Sequence, residues 1–308
     1  MEPRVTATKD RTLAAAGLIL IYALLIGFTD NFVQIIATDA GLWQFHLTRS
    51  CMAMALLGVV ALAFRRRLRP VNLRAVAARS AIHGSAMVIY FGALAFLPVA
   101  LVAAGLFTAP IFVLLIGALA YGHRIGAVQI AAVLLGFVGV VLVLGPEAMS
   151  GASLAALLPV LAGALYAMGN IATREWCGAE TAETLLAGFF VALGVIGALG
   201  MIWLTIWPLN VPQGPEYFLQ RGPVWPTFDF WIWTFVQAAG SLLGVGLMIR
   251  GYQITSAAKA SVLEYVILPA SAFWSYVIWG QTLGWMAWTG MGLIVVAGTV
   301  IALGGRKT

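Results

Sequence analysis

Charge is what this sequence has least of: Asp, Glu, Lys and Arg together make up 9% of its 308 residues, against about a quarter in an ordinary soluble domain. With 62% hydrophobic residues, there is too little polar surface to cover the apolar mass in water. Cysteine is nearly absent as well. Cys51 falls inside an apolar run and Cys177 in a polar break, addresses on opposite sides of a bilayer. That excludes a disulfide between them and leaves no cluster for a metal, so both are expected as packing residues. No G-x-x-x-x-G-K-[ST] phosphate loop occurs, which excludes ATP use by that device. There is no H-E-x-x-H, no G-x-S-x-G and no spaced acidic pair within the apolar runs, which argues against a membrane-embedded enzyme; His83 with Ser85 is too sparse a constellation. A receptor or assembly subunit would carry a sizeable polar domain, and none stands between the runs.

What the chain has is length in apolar runs. Ten can be marked, over 13–29, 42–64, 77–96, 101–121, 128–144, 154–172, 185–207, 230–249, 260–279 and 286–303, each near the ~20 residues that cross the hydrocarbon as a helix. They are continuously apolar and lack the alternation of a membrane barrel, so helices are expected. The first run has a basic flank but exceeds a signal-peptide core and lacks a small-residue cleavage site, so it reads as a retained span. The fold class predicted is an all-α integral membrane protein of ten transmembrane helices.

The net charge of +6 is not a nucleic-acid footprint, because of where the cations stand. With the N-terminus in the cytosol, Arg4, Lys9, Arg11, Arg65, Arg66, Arg67, Arg69, Arg74, Arg79, Arg124, Arg174, Arg250, Lys259, Arg306 and Lys307 fall on or near the cytosolic side. Only Arg221 is then outside, and Arg49 lies within the second span. This asymmetry sets the orientation, with both termini cytosolic. Asp30, Asp39, Glu147, Glu216 and Asp229 fall in external segments. The Arg65–Arg69 run reads as an anchor on anionic membrane lipids.

The chain also repeats itself. At one offset of 159 residues Gly92 meets Gly251, Pro110 meets Pro269, Gly139 meets Gly298 and Gly145 meets Gly304. Gly122 with Gly280 and Gly126 with Gly284 pair one residue closer. The third, fourth and fifth spans thereby match the eighth, ninth and tenth, giving five helices per repeat over residues 1–148 and 149–308. An odd repeat reverses direction across the bilayer, so the halves are expected as two inverted five-helix repeats, an arrangement tied to alternating access around a midplane site.

The ten spans, the duplication, the contexts Thr108-Ala109-Pro110-Ile111 and Ile267-Leu268-Pro269-Ala270, and the Gly-spaced closing helices together resemble the EamA branch of the drug/metabolite transporter superfamily, over essentially the whole chain. Within that branch the chain looks like the exporters of aromatic amino acids. One departure stands out: family repeats often carry Gly-Glu after the fourth and ninth spans, where this chain has Gly122-His123 and Gly280-Gln281. The resemblance implies two four-helix groups around a central cavity, with the fifth and tenth helices packed together away from it. It implies a secondary transporter of the bacterial inner membrane that exports small, amino acid-like metabolites, acting as a monomer and without a cofactor. Drugs or nucleoside-like metabolites are the alternative cargo.

Candidate site residues follow from polar side chains inside spans. Pro110 and Pro269 each remove a backbone donor and free a carbonyl four residues back, at Leu106 and Tyr265; they are either hinges or static kinks. Glu264 is the one carboxylate expected within a span, and it must face protein or water. It either meets a substrate or a proton, or pairs with Lys259 or Arg250. His83 and Tyr90, seven apart, share a helix face and suit hydrogen bonding to a small zwitterion, although a lone histidine is also a common interhelical donor. Tyr166 with Asn170, and Gln237 with Ser241, are each four apart; they line a cavity or join helices. Tyr265 completes the candidate binding set. Arg49, beside His46 near the outer end of its span, either attracts a carboxylate or snorkels, and snorkelling is the expectation. Phe273 and Trp274 either stack on an aromatic substrate or belong to the core, and the core is the expectation. The small-residue pairs Ala132–Gly136 and Gly240–Gly244 are expected to admit close helix contacts. The proline-rich break over 208–229 is expected as a rigid, partly extended loop, with a place over the external mouth as one reading. A phosphatase fused after Arg69 is expected to be inactive in cells, and one fused after Trp225 active; the opposite pattern would reverse the orientation.

Overall fold

The computed structural model describes residues 11–66, 68–93, 97, 99–145, 154–209 and 217–304, and these are helical with no strand among them. In chain order the helices are α1 (Thr12–Asp30), α2 (Val33–Asp39), α3 (Leu42–Ala63), α4 (Leu73–Ala93), α5 (Val99–Leu106), α6 (Ala109–Tyr121), α7 (Ala127–Leu144), α8 (Leu157–Glu175), α9 (Ala182–Ile206), the short α10 (Tyr217–Gln220), α11 (Phe228–Ile254), α12 (Ala257–Leu263), α13 (Ile267–Trp279) and α14 (Trp285–Gly304). Arg4, Lys9, Arg67, Arg306, Lys307, Glu147, Glu216, Pro212, Pro215 and the 148/149 boundary lie outside the described residues.

Eight helices among the described residues are long and apolar enough to cross a membrane: Thr12–Asp39, Leu42–Ala63, Leu101–Tyr121, Ala127–Leu144, Ala182–Ile206, Phe228–Ile254, Ala257–Trp279 and Trp285–Leu303. The helices α4 and α8, of 21 and 19 residues, are less apolar because they pack on each other through polar faces. Arg79, Ser80 and His83 of α4 and Asn170 and Thr173 of α8 are all buried. The apolar surplus faces outward instead, as Leu119, Leu134, Val195, Leu199 and Val295 do, which is stable only in lipid.

The principal packings are α7 on α14, α3 on α9, α1 on α11, α4 on α8, α1 on α13, α5 and α6 on α8, α4 on α9, and α3 on α11. Exchanging α1 with α8, α3 with α9, α4 with α11, α5–α6 with α12–α13, and α7 with α14 maps this set onto itself. The two proline-bearing rods break at matching places. One is interrupted at Phe107–Thr108 and the other by a 3-10 turn over Glu264–Val266. Both then end on glycines in the left-handed region, Gly122 at φ 64° and Gly280 at φ 65°, a conformation that side chains with a Cβ disfavour.

Glycine also sets the closest helix contacts. A Cβ on Gly139 of α7 would lie 2.7 Å from the Gly290 carbonyl oxygen of α14, and one on Gly290 would lie 2.8 Å from the Val143 amide. The backbones of α7 and α14 therefore touch. Gly240 and Gly244 of α11 receive Thr29, Ile26 and Tyr22 of α1, and Gly136 receives the ring of Tyr265, so both small-residue spacings are occupied.

Several expectations change. Asp30 is the last residue of α1, and helix resumes at Val33; it is not in an external loop. The Asn31 amide Nδ2 donates to the Gly27 carbonyl at 2.6 Å, which satisfies an acceptor left open where the helix breaks. Arg79 is fully buried, not at a membrane face: its Nε donates to Thr173 Oγ1 at 2.9 Å and Nη1 to the Leu185 carbonyl at 3.4 Å. Arg11, Arg65, Arg66, Arg69, Arg74, Arg124, Arg174, Arg250 and Lys259 do cluster at or near one end of the bundle, the end joined by Arg11 N to Ile254 O. Arg221 is at the opposite end, where Nη1 donates to the Thr38 carbonyl. Cys177 is buried and its burial pushes the thiol pKa up, whereas Cys51 is exposed and does no packing in the core. Phe273 is 54% exposed because its position on α13 faces away from the bundle, so it is not a core residue.

Gly139→Leu is expected to force α7 and α14 apart and to cost at least about 2 kcal/mol, read as a lower melting temperature of the purified protein in detergent, with Gly292→Leu, which meets open space, close to unchanged.

Candidate functional site

A cavity of about 370 Å³ lies where α1, α3, α4, α8, α11 and the two broken rods meet, and no residue of α7 or α14 lines it. The broken rods contribute because a helix interruption turns side chains and carbonyls off the regular stripe. At the first break Thr108 Oγ1 donates to the Gly105 carbonyl at 2.5 Å. At the second, the 3-10 turn begins on Glu264 and aims its carboxylate into the bundle.

Near the basic end, Glu264 Oε1 accepts the Tyr166 hydroxyl at 2.9 Å and Oε2 the Tyr252 hydroxyl at 2.9 Å. Three elements are thereby tied to one carboxylate: α8, α11 and the 3-10 turn. Asn170 Nδ2 donates to the Tyr252 oxygen at 3.1 Å, extending the network away from the cavity. Arg250 is not a partner; it is exposed and donates to Gln253. His83 lies against Tyr166, with centroids 4.7 Å apart, and edge-on to Phe189 at 5.3 Å. Its Nδ1 is buried without a partner, where a Cβ on Gly169 would come within 2.7 Å. Nε2 is thus the ring nitrogen left to address the cavity. Below this layer the structure is closed. Tyr252 and Arg79 are fully buried, the Glu180 carboxylate accepts the Val71 and Asn72 amides at 3.0 and 2.7 Å, and Arg174 donates to the Thr255 carbonyl.

Toward the opposite end the lining includes Asp30, Asn31, Arg49, Tyr90 and Gln237, and it runs on to Trp279 and Gln281, which are exposed. Gln237 Nε2 donates to Asp30 Oδ1 at 3.1 Å, and Ser241 Oγ donates to Gln237 Oε1 at 3.4 Å. Arg49 does not snorkel. It is 4% exposed, and its guanidinium sits 5.4 Å from the Phe45 ring centroid and 5.9 Å from those of Phe91 and Phe190. The rotation of α3, fixed by Gly197 of α9 against the Leu47 amide, turns Arg49 inward. His46 beside it is fully buried with both ring nitrogens unpartnered.

Of the residues expected from sequence, His83, Tyr90, Tyr166, Gln237, Ser241, Glu264 and Pro110 line the cavity. Three do not. Asn170 bonds Tyr252 behind the wall. Tyr265 turns the other way, with its ring against Gly136 of α7 and its hydroxyl buried and unpartnered. Pro269 is outside the lining. Sequence reasoning missed Tyr22, Asp30, Asn31 and Phe189, and it favoured the membrane interface for Arg49, which lines the cavity. The signal for Asp30 and Asn31 is that one polar pair interrupts an apolar stretch that continues to Ile36. The loop near the mouth is tied to the α2–α3 corner instead. Thr227 N donates to Asp39 Oδ2 at 2.7 Å, Val224 N to Gln44 Oε1 at 3.0 Å and Trp43 Nε1 to the Leu219 carbonyl at 2.8 Å. None of the described residues of that loop lines the cavity.

Comparison with known proteins points the same way as the geometry. Residues 13–145 match the EamA-like transporter family. The chain is similar to a riboflavin transporter of Rhizobium johnstonii, 26% identical over 86% of this chain and 80% of that protein. It is also similar to the pseudopaline exporter CntI of Pseudomonas aeruginosa, 24% identical over 68% of each chain, and to an uncharacterized transporter of Helicobacter pylori, 21% identical over 96% of each. A crystal structure with 20% identity superposes with a TM-score of 0.72 over 95% of this chain and 99% of the other, which shows a shared fold.

The Tyr252 hydroxyl is expected to contribute about 1–3 kcal/mol through Glu264. Unfolding in detergent should show Tyr252→Phe as destabilising by that amount, and as clearly less costly in a Glu264→Leu background, where only the bond from Asn170 is left to lose.

Proposed function

We propose that the protein is a secondary membrane transporter that exports small metabolites, amino acids with aromatic ones among them, by alternating access across the bacterial inner membrane. The observation that carries this reading is the polar and aromatic cavity at the meeting of two broken helices, closed at the basic end and lined to the opposite one. Ligand cavities with a few convergent polar groups in an apolar wall are the ordinary form of a small-molecule site. Broken helices around such a site are a recurring device of carriers.

On this reading α4 and α8 join the eight apolar spans, giving ten transmembrane helices. The halves, 1–148 and 149–308, are inverted five-helix repeats. Support comes from the self-mapping of the helix packings under exchange of halves and from the match of a transporter family to residues 13–145. Pro110 and Pro269 serve as hinges at the paired breaks. The basic end faces the cytosol by the excess of Arg and Lys there, with both termini on that side, and the molecule works as a monomer among membrane lipids without a cofactor. The closed basic end then makes this the state that communicates with the outside.

A relative named as a riboflavin transporter favours a second reading, a flat heteroaromatic cargo held by Tyr22, Phe91, Phe107 and Phe189. Counterflow separates the two. Purified protein in liposomes preloaded with unlabelled solute is expected to accumulate labelled phenylalanine above protein-free vesicles, with threonine, riboflavin and a nucleoside weaker. Accumulation of riboflavin alone selects the second reading. No exchange of any solute, together with covalent change in one, overturns transport altogether.

A further inference from the structure

Two carboxylates line the cavity, and their hydrogen bonds differ. Both oxygens of Glu264 are taken, one by each of two phenols. Asp30 accepts from Gln237 at Oδ1 alone, its side chain is exposed, and it makes no ion pair among the described residues. An ammonium entering the cavity therefore finds an open acceptor at Asp30 and a saturated one at Glu264.

Arg49 presents the complementary case. Its guanidinium is more than nine-tenths buried and lines the cavity, yet its Nε has no partner and it forms no ion pair among the described residues. What surrounds it is three phenyl rings, whose faces attract a cation but accept little from five N–H donors. The planar fork of a guanidinium matches a carboxylate with two parallel hydrogen bonds. Asp30 is the charge that acts on Arg49 through space, and the two line the same cavity without forming an ion pair.

We propose that Arg49 and Asp30 form one binding site for a zwitterion, the guanidinium holding a carboxylate and Asp30 an ammonium of the same small molecule. This rests on the transport reading and names the chemistry of its cargo. A molecule with carboxylates alone meets Asp30 and Glu264 as like charges. One without a carboxylate leaves the buried guanidinium unpaired, and a site built around a polar group rejects analogues lacking it far more strongly than it rejects a change of apolar size. The volume of about 370 Å³ is at the lower end for ligand cavities, and Tyr22, Met87, Phe91 and Phe189 line it as a wall for an apolar body.

The test compares phenylalanine with phenylalanine amide, which lacks the carboxylate, and N-acetylphenylalanine, which lacks the ammonium. Binding is read calorimetrically on the purified protein. Wild type is expected to hold phenylalanine at least tenfold more tightly than either blocked analogue. Arg49→Gln should abolish the preference over the amide and keep that over the N-acetyl form. Asp30→Asn should do the reverse, and Arg49→Lys should restore part of the carboxylate preference in a variant that keeps the charge. Equal binding of all three by wild type, no binding of phenylalanine, or unchanged preferences in Arg49→Gln and Asp30→Asn overturn the site. Binding without counterflow overturns the transport reading and leaves the site standing; counterflow indifferent to both blocking groups overturns the site and leaves transport standing.

Discussion

A helix that breaks inside hydrocarbon has to satisfy its freed backbone groups without water, and in this protein that constraint organises the centre. At the first break Thr108 turns its hydroxyl back onto the Gly105 carbonyl. At the end of α1, Asn31 does the same for Gly27. At the second proline-bearing rod the chain tightens to a 3-10 turn with fewer residues per turn, which keeps the backbone bonded and rotates Glu264 into the bundle. Polar atoms are therefore concentrated where helices are interrupted, and the cavity is the space those interruptions leave.

The two ends of that space are chemically unlike. Around Glu264 the network is saturated, with phenols and an amide completing one another across α8 and α11. Around Arg49 and Asp30 donors and acceptors remain open. A saturated layer holds helices together and an open layer leaves groups free to meet a ligand, so a single cavity combines a bolt at its floor with the binding site proposed above.

Much of the architecture is legible in the chain because hydropathy is a local property. The apolar runs, the prolines at Pro110 and Pro269 and the capping glycines Gly122 and Gly280 each report on their own few residues, and the helices begin and end near where those signals place them. The site was harder to read. A spacing of four puts Tyr166 and Asn170 on one helix face, but only the neighbours decide that the first meets the cavity and the second lies behind it. Arg49 near a span end has the same sequence signature whether it reaches for a headgroup or turns inward; the glycine on α9 that sets the rotation of α3 is 148 residues away. Asp30 is expected outside because an acid normally closes a span, whereas here the helix resumes at Val33 after a break of two residues.

The principal packings have one more property: each joins a helix from before residue 146 to one from after residue 153. Neither portion builds a core by itself. During synthesis the earlier helices must enter the bilayer carrying Arg49, Arg79 and His83 with their eventual neighbours still unmade, and the later ones arrive as the missing walls. The order of translation thus leaves a half-built molecule with buried-type polar groups facing lipid. For an interval it depends on the insertion machinery to shelter those groups from the hydrocarbon.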